Sequence, residues 1–228
     1  MKVIYQDNHL FIVEKQPNQL VQGDATTDKD LLTEGKEYIK VQDNKPGNVF
    51  LGLVHRLDRP VGGAIVFAKT SKAASRLSDQ LRRHAITRKY LAVTDGSVSR
   101  QSGKLVDYLY KDRNKNQSYV VDSGHAEAKK AILNYTVLAE SQGLSLIEVE
   151  LETGRPHQIR VQLSHSGMPI VGDQKYHPSP IVGQQIALWA YTLGLDHPTL
   201  KEKMAFTSLP NEREYPWNVF GDLLGKTK

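Results

Sequence analysis

With 228 residues and no cysteine, the chain can build one core or one core shared between two lobes, and it has no means of forming a disulfide framework, a thiolate nucleophile or a cysteine-ligated metal centre. Hydrophobic residues make up 39% and charged residues 24%, an ordinary globular composition that excludes collagen-like, low-complexity and disordered chains. The formal net charge of +5 is concentrated, because residues 69–90 hold seven Lys or Arg against one Asp, an excess of six that leaves the remainder near neutral.

The opening MKVIYQDNHLFIVEK has early acidic residues and no long apolar stretch, so it does not read as a secretory leader. The longest apolar runs, such as LFIV and AIVFA, fall far short of the roughly 20 residues a bilayer span needs. A cytoplasmic protein without a membrane partner is expected. VIYQDNHLFIVEK reads as two short strands around an Asp-Asn turn. Leu31, Leu32, Tyr38 and Ile39 fall at roughly helical spacing. NVFLGLV is a short apolar run entering a loop, and GAIVFAK is the strand that leaves it. Residues 71–84 give the clearest helix, capped by Thr70 or Ser71, with Ala74, Leu77, Leu81 and Ala85 as its apolar stripe and Arg76, Arg82 and Arg83 largely off it. KYLAVTDG follows as a strand. Residues 111–119, KDRNKNQSY, are too polar for a core and read as an exposed loop. SLIEVELET alternates Ile147, Val149 and Leu151 against Glu148, Glu150 and Glu152, the pattern of a half-buried strand. GRPHQIRVQLSHSG starts a helix with Pro156 in its first turn and Gly167 at its end. A further strand and loops follow from about residue 184. Strands and few helices without regular βαβ alternation indicate an α+β fold with a mostly antiparallel sheet.

Two motifs carry the chemistry. In HRLDRPVGG, residues 55–63, Pro60 disfavours helix at Arg59, and Gly62 and Gly63 allow backbone angles that other residues resist. His55, Arg56 and Asp58 therefore enter a constrained turn at the end of a strand, with Leu57 as its anchor. Asp58 can brace that turn, bind a metal, or act as nucleophile or base. No HExxH or Asp-x-Asp cluster accompanies it, and His157 and His165 stand too far apart on one helix to share an ion, so no metal is expected. The second motif, TGRPHQIR at residues 153–160, sets Arg155, His157, Gln158 and Arg160 at a strand-to-helix junction. There they can hold phosphate, pair with a buried carboxylate, or form an ordinary exposed first turn. The basic segment 69–90 suits a polyanionic partner or a solvated helix face.

Taken together, HRLDRPVGG and TGRPHQIRVQLSHSGMPIVGD resemble the RluA family of RNA pseudouridine synthases, as do the opening YQDNHLFIVEKQPNQLVQGD and the strand TRKYLAVTDG. The likeness runs from about residue 3 to about residue 193. Three departures stand out. Val61-Gly62 replaces the family's Thr-Ser, EKQPNQL replaces its Lys-Pro-x-Gly, and the fold motifs begin too early to leave room for an appended N-terminal RNA-binding domain. The resemblance implies a single catalytic domain over residues 1–228, a mixed, mostly antiparallel sheet in two lobes with a central cleft, and no cofactor. It implies isomerisation of uridine to pseudouridine in rRNA or tRNA, with Asp58 as the catalytic carboxylate, salt-bridged to Arg160. Whether Asp58 attacks sugar, attacks base or takes a sugar proton stays open. Tyr90 would stack on the uracil, its hydroxyl being a second candidate for moving the C5 proton. Arg56 would fill the space of a flipped-out nucleotide. His55, Arg155, His157, Gln158, Arg82, Arg83, Arg88 and Lys89 would contact the RNA. The competing readings are an RNA-binding module of the same fold without catalysis and a metal-dependent phosphodiesterase.

Overall fold

The computed structural model describes residues 1–23 and 28–225. Asp24, which closes the opening stretch of the family likeness, lies outside them. In chain order the first elements are β1 (Lys2–Gln6), β2 (Leu10–Lys15), α1 (Leu31–Gln42), β3 (Gly52–Leu53), β4 (Gly62–Ala68), α2 (Ser71–Arg82) and β5 (Thr87–Asp95). Then come β6 (Ser102–Asp112), β7 (Gln117–Val121), β8 (Lys129–Ser141), β9 (Leu144–Leu151), α3 (Gln158–His165), β10 (Leu188–Asp196) and β11 (Lys203–Thr207). A 3₁₀ turn, Trp217–Phe220, and a short α4, Gly221–Gly225, close the described chain. The fold is α+β, as expected. It forms two compact units, Met1–Arg88 with Ala190–Ser208, and Lys89–Trp189 with Leu209–Lys228.

In the first unit the strand order is β1-β2-β4-β10, with β3 alongside β4 and β11 alongside β10. The pairs β1–β2, β2–β4, β3–β4 and β10–β11 are antiparallel. Every residue of β2 and β4 is buried, which explains why LFIV and GAIVFA are continuous apolar runs and do not alternate. Leu10, Ile12, Ala64 and Val66 meet Ala73 and Leu77 of α2 in one core cluster. Phe11 stacks on Tyr38 of α1 at 5.8 Å, so a helix packs against this strand too. The Asp-Asn turn forms as expected, with Asp7 Oδ1 accepting from the amides of His9 and Leu10, both at 2.7 Å.

In the second unit the order is β5-β9-β8-β6-β7, antiparallel throughout. The alternation in β9 is realised in part: Ile147 and Val149 are buried and Glu150 is exposed, while Glu148, Leu151 and Glu152 are all half-buried.

Three expectations need correction. The buried face of α2 is Ala73, Leu77 and Gln80, while Ala74 and Leu81 are only partly buried and Ala85 is exposed. A glutamine holds the core position because its amide donates to Asp196 O at 2.7 Å and accepts from Asp196 N at 2.9 Å, so its polar atoms are satisfied. Residues 111–119 are not one loop: 111–112 end β6, 113–116 form an exposed hairpin turn, and 117–119 begin β7, where Ser118 is buried. Polar side chains suit a hairpin turn as well as a loop, and that made the two indistinguishable. Finally, α3 begins at Gln158. Pro156 lies before it, and His157 is its N-cap at φ +56°, so His157 and His165 do not lie together within the helix.

Candidate functional site

The Asp58 loop is fastened from several sides within the first unit. Leu57 is buried and anchors it, and Asp58 O accepts from Val61 N at 3.0 Å, closing a turn over Arg59 and Pro60. Arg59 points away, donating to Asp28 at 2.6 Å and to Asn18 O at 3.2 Å. The strongest fastener was not singled out in the sequence. Antiparallel register sets Lys15, the last residue of β2, opposite Gly63. Its side chain is fully buried, and Nζ donates to Val61 O at 2.7 Å, Arg59 O at 2.8 Å and Gln16 O at 3.0 Å. Three carbonyls match the three N–H groups of an ammonium. Burial pushes its pKa down to about 7, the Asp58 charge pulls it up, and Arg59 pushes it down. A charged end to an otherwise apolar strand was the available signal.

Gly63 has φ +119°, and a Cβ there would stand 2.3 Å from Ala190 O, so the second glycine of the motif is required by both angle and space. His55 turns inward. Its Nε2 accepts from Val66 N at 3.3 Å, and loss of water together with the nearby Arg88 pushes its pKa down to about 4. The ring is therefore neutral at pH 7 and braces the loop from behind. Asp58 is half-buried and Arg56 exposed.

In the second unit the strand-to-helix junction is organised by Gln158. Its Oε1 accepts from Thr153 Oγ1 at 2.8 Å and from Arg155 N at 2.9 Å, and its Nε2 donates to Ile132 O at 3.1 Å. A side chain so engaged and so buried has a folding role. Arg155 is half-exposed and donates through Nε to Lys130 O at 2.9 Å. His157 is also half-exposed, with Nδ1 at 2.6 Å from the Tyr176 hydroxyl.

Arg160 is buried with Asp173 in a bidentate pair, Nε to Oδ2 at 2.8 Å and Nη2 to Oδ1 at 2.7 Å, with the two side chains 5% and 1% exposed. Asp173 Oδ1 also accepts from Lys175 N at 2.9 Å and Tyr176 N at 3.2 Å, and the Arg160 guanidinium lies 5.2 Å from the Tyr176 ring centre. Asp173 ends the quoted run GMPIVGD, but nothing in the sequence tied it to Arg160. Tyr90 lies in β5 opposite Val149 and is 8% exposed. Lys89, beside it, pairs with Glu148 at 2.8 Å. Arg82 and Arg83 are exposed, and both engage Asp79. Among the described residues no group of three or more His, Asp or Glu side chains is arranged to hold a metal, and no helix is long and apolar enough to cross a membrane.

Comparison with known proteins gives a consistent result. A family model described as RNA pseudouridylate synthase matches residues 9–165. The uncharacterized RNA pseudouridine synthase YlyB of Bacillus subtilis is 38% identical over 165 residues, covering 71% of this chain and 53% of that one. A ribosomal large subunit pseudouridine synthase D of Pseudomonas aeruginosa is 33% identical over 235 residues, covering 95% of this chain and 70% of that one. The chain thus spans about half the length of the first relative and rather more of the second. Human RNA pseudouridylate synthase domain containing 4 shares the fold, with a TM-score of 0.78 at 23% identity over 92% of this chain and 89% of that one.

Proposed function

Because the chain belongs to the RNA pseudouridylate synthase family, we propose that it converts uridine to pseudouridine in structured RNA, with Asp58 as the catalytic carboxylate. The observation that carries this reading is the Asp58 loop itself. Lys15, Leu57, Gly63 and His55 fix the backbone on either side of one carboxylate and leave it half-buried. Relatives named for the ribosomal large subunit point to large-subunit rRNA as the substrate class ahead of tRNA.

The reaction breaks the N1–C1′ bond and forms a C5–C1′ bond. C5 loses a proton and N1 gains one, so the product has the atoms of the substrate. Asp58 acts ionised, on the sugar or on the base. We carry the pairing of Asp58 with Arg160 forward as a proposal. Asp173 takes the Nε and Nη2 edge of the guanidinium, and the pairing would use Nη1. Tyr90 stacks on the uracil of the extruded nucleotide, a contact worth about 1–3 kcal/mol per base. Arg56, exposed beside Asp58, fills the vacated place in the RNA stack.

The test is incubation of the protein with a uridine-containing transcript of large-subunit rRNA, followed by pseudouridine mapping. One or a few converted positions support the proposal. RNA that is bound but unconverted would leave a binding module without catalysis.

A further inference from the structure

The second unit carries a cationic surface separate in sequence from the basic segment 69–90. The end of β6 and the turn into β7, KDRNKN at residues 111–116, hold three cations and one acid. That acid, Asp112, is used by the turn, since its Oδ1 accepts from the amides of Asn114 at 2.9 Å and Lys115 at 3.0 Å. Arg113 and Lys115 are exposed at the tip. Asn116, at φ +48°, gathers two ammonium groups: its Oδ1 accepts from Lys111 Nζ at 2.6 Å and its backbone O from Lys175 Nζ at 2.9 Å. A neutral carbonyl fixes an ammonium in place without cancelling its charge. Among the described residues no carboxylate stands within salt-bridge reach of Arg113, Lys115 or Lys175.

The turn is also held firm from beneath. Ser118 N donates to the Tyr176 hydroxyl at 2.7 Å and Ser118 Oγ to Pro156 O at 2.7 Å. By contrast, at least five of the seven cations in segment 69–90 are engaged within the protein: Lys69 with Asp43, Arg82 and Arg83 with Asp79, Lys89 with Glu148, and Arg76 with Pro198 O at 2.6 Å.

We propose that the β6–β7 turn and Lys175 form a docking site for the phosphate backbone of the RNA, with Arg113, Lys115 and Lys175 as its contacts and Lys111 beside them. The site reads charge and not base sequence, because ammonium and guanidinium groups on an exposed turn contact phosphates, which carry no sequence information. The choice of RNA over an acidic protein rests on the function proposed above. It would let the protein hold RNA beyond the reacting nucleotide.

The test uses the full chain and a transcript of large-subunit rRNA, with affinity measured by filter binding across a salt series. The variant is Arg113→Ala, Lys115→Ala and Lys175→Ala combined. A control, Lys36→Ala, Lys40→Ala and Lys45→Ala, removes the same charge from around α1. The salt slope of the first variant is expected to fall by roughly 0.7–0.9 per lost contact, and affinity at moderate salt by about tenfold or more, with the control near wild type. Unchanged affinity and slope, equal losses in the control, or a wild-type chain that does not bind the transcript would each overturn the proposal. Pseudouridine formed on the same transcript is scored separately. Conversion by the wild type with no binding loss in the variant sinks the docking site alone, and binding loss without any conversion by the wild type sinks the catalytic reading alone.

Discussion

At the scale of single residues, buried charges hold the local structure of each unit: the Arg160–Asp173 pair in the second and Lys15 in the first. Arg160 and Asp173 satisfy one another in a nearly water-free place, so removing one partner strands the other. Asp173→Ala is expected to cost about 3–5 kcal/mol in urea denaturation, far more than the loss of an exposed pair such as Lys104–Glu152. Lys15→Met keeps much of the volume but leaves the carbonyls of Arg59 and Val61 without their donor. It is expected to destabilise by about 1–3 kcal/mol and to lower turnover more than RNA affinity, because it loosens the backbone around Asp58. His55 gives a pH signature. Its folded pKa of about 4 lies below the ordinary 6.5, so the unfolded chain takes up a proton that the folded chain refuses. The stability this neutral ring contributes is present above pH 6.5 and is lost as pH falls from 6.5 toward 4, on the order of 2–3 kcal/mol. Denaturation midpoints at pH 7 and pH 4.5 should therefore fall less in His55→Gln than in wild type. Asp58 and Arg160 stand out as candidates in the sequence because each sits in a run whose residue order is itself informative. Lys15 and Asp173 do not, because the partners that define them stand 46 and 13 positions away and only register or folding joins them.

At the scale of elements, the loop before β4 depends on one glycine as much as on its charged neighbours. Gly63→Ala puts a methyl group against the Ala190 backbone at a positive φ and is expected to cost at least the 1–3 kcal/mol of a strained backbone position, with lower turnover, read by thermal denaturation and activity together. Thr70→Ala removes the oxygen that accepts from Ala73 N at 3.1 Å and should cost about 1 kcal/mol without touching the site. Capping, strand runs and the β9 alternation were readable because each depends on neighbours in sequence. The face of α2 was misjudged by one position because Gln80 satisfies its amide on Asp196, a partner supplied by β10 that no local pattern announces. The hairpin at 111–119 was missed for a related reason. Its turn is polar whether or not the flanking strands pair, and pairing is what makes it an element.

At the scale of the whole molecule, the absence of βαβ alternation was enough to give the α+β class, and two ordered motifs were enough to give the family. The concentration of positive charge in residues 69–90 was legible in the sequence. Arg82 and Arg83 engage Asp79 and Arg76 engages Pro198 O, while Arg113, Lys115 and Lys175 have no carboxylate within salt-bridge reach among the described residues. Binding to RNA should weaken steeply with salt whichever surface dominates. The most direct test of the account is Asp58→Asn, which keeps the size of the side chain and removes its charge, assayed on a large-subunit rRNA transcript for both binding and pseudouridine. The account predicts that the variant binds RNA within a fewfold of wild type and forms no pseudouridine. Pseudouridine formed by the variant at a rate near wild type would contradict it.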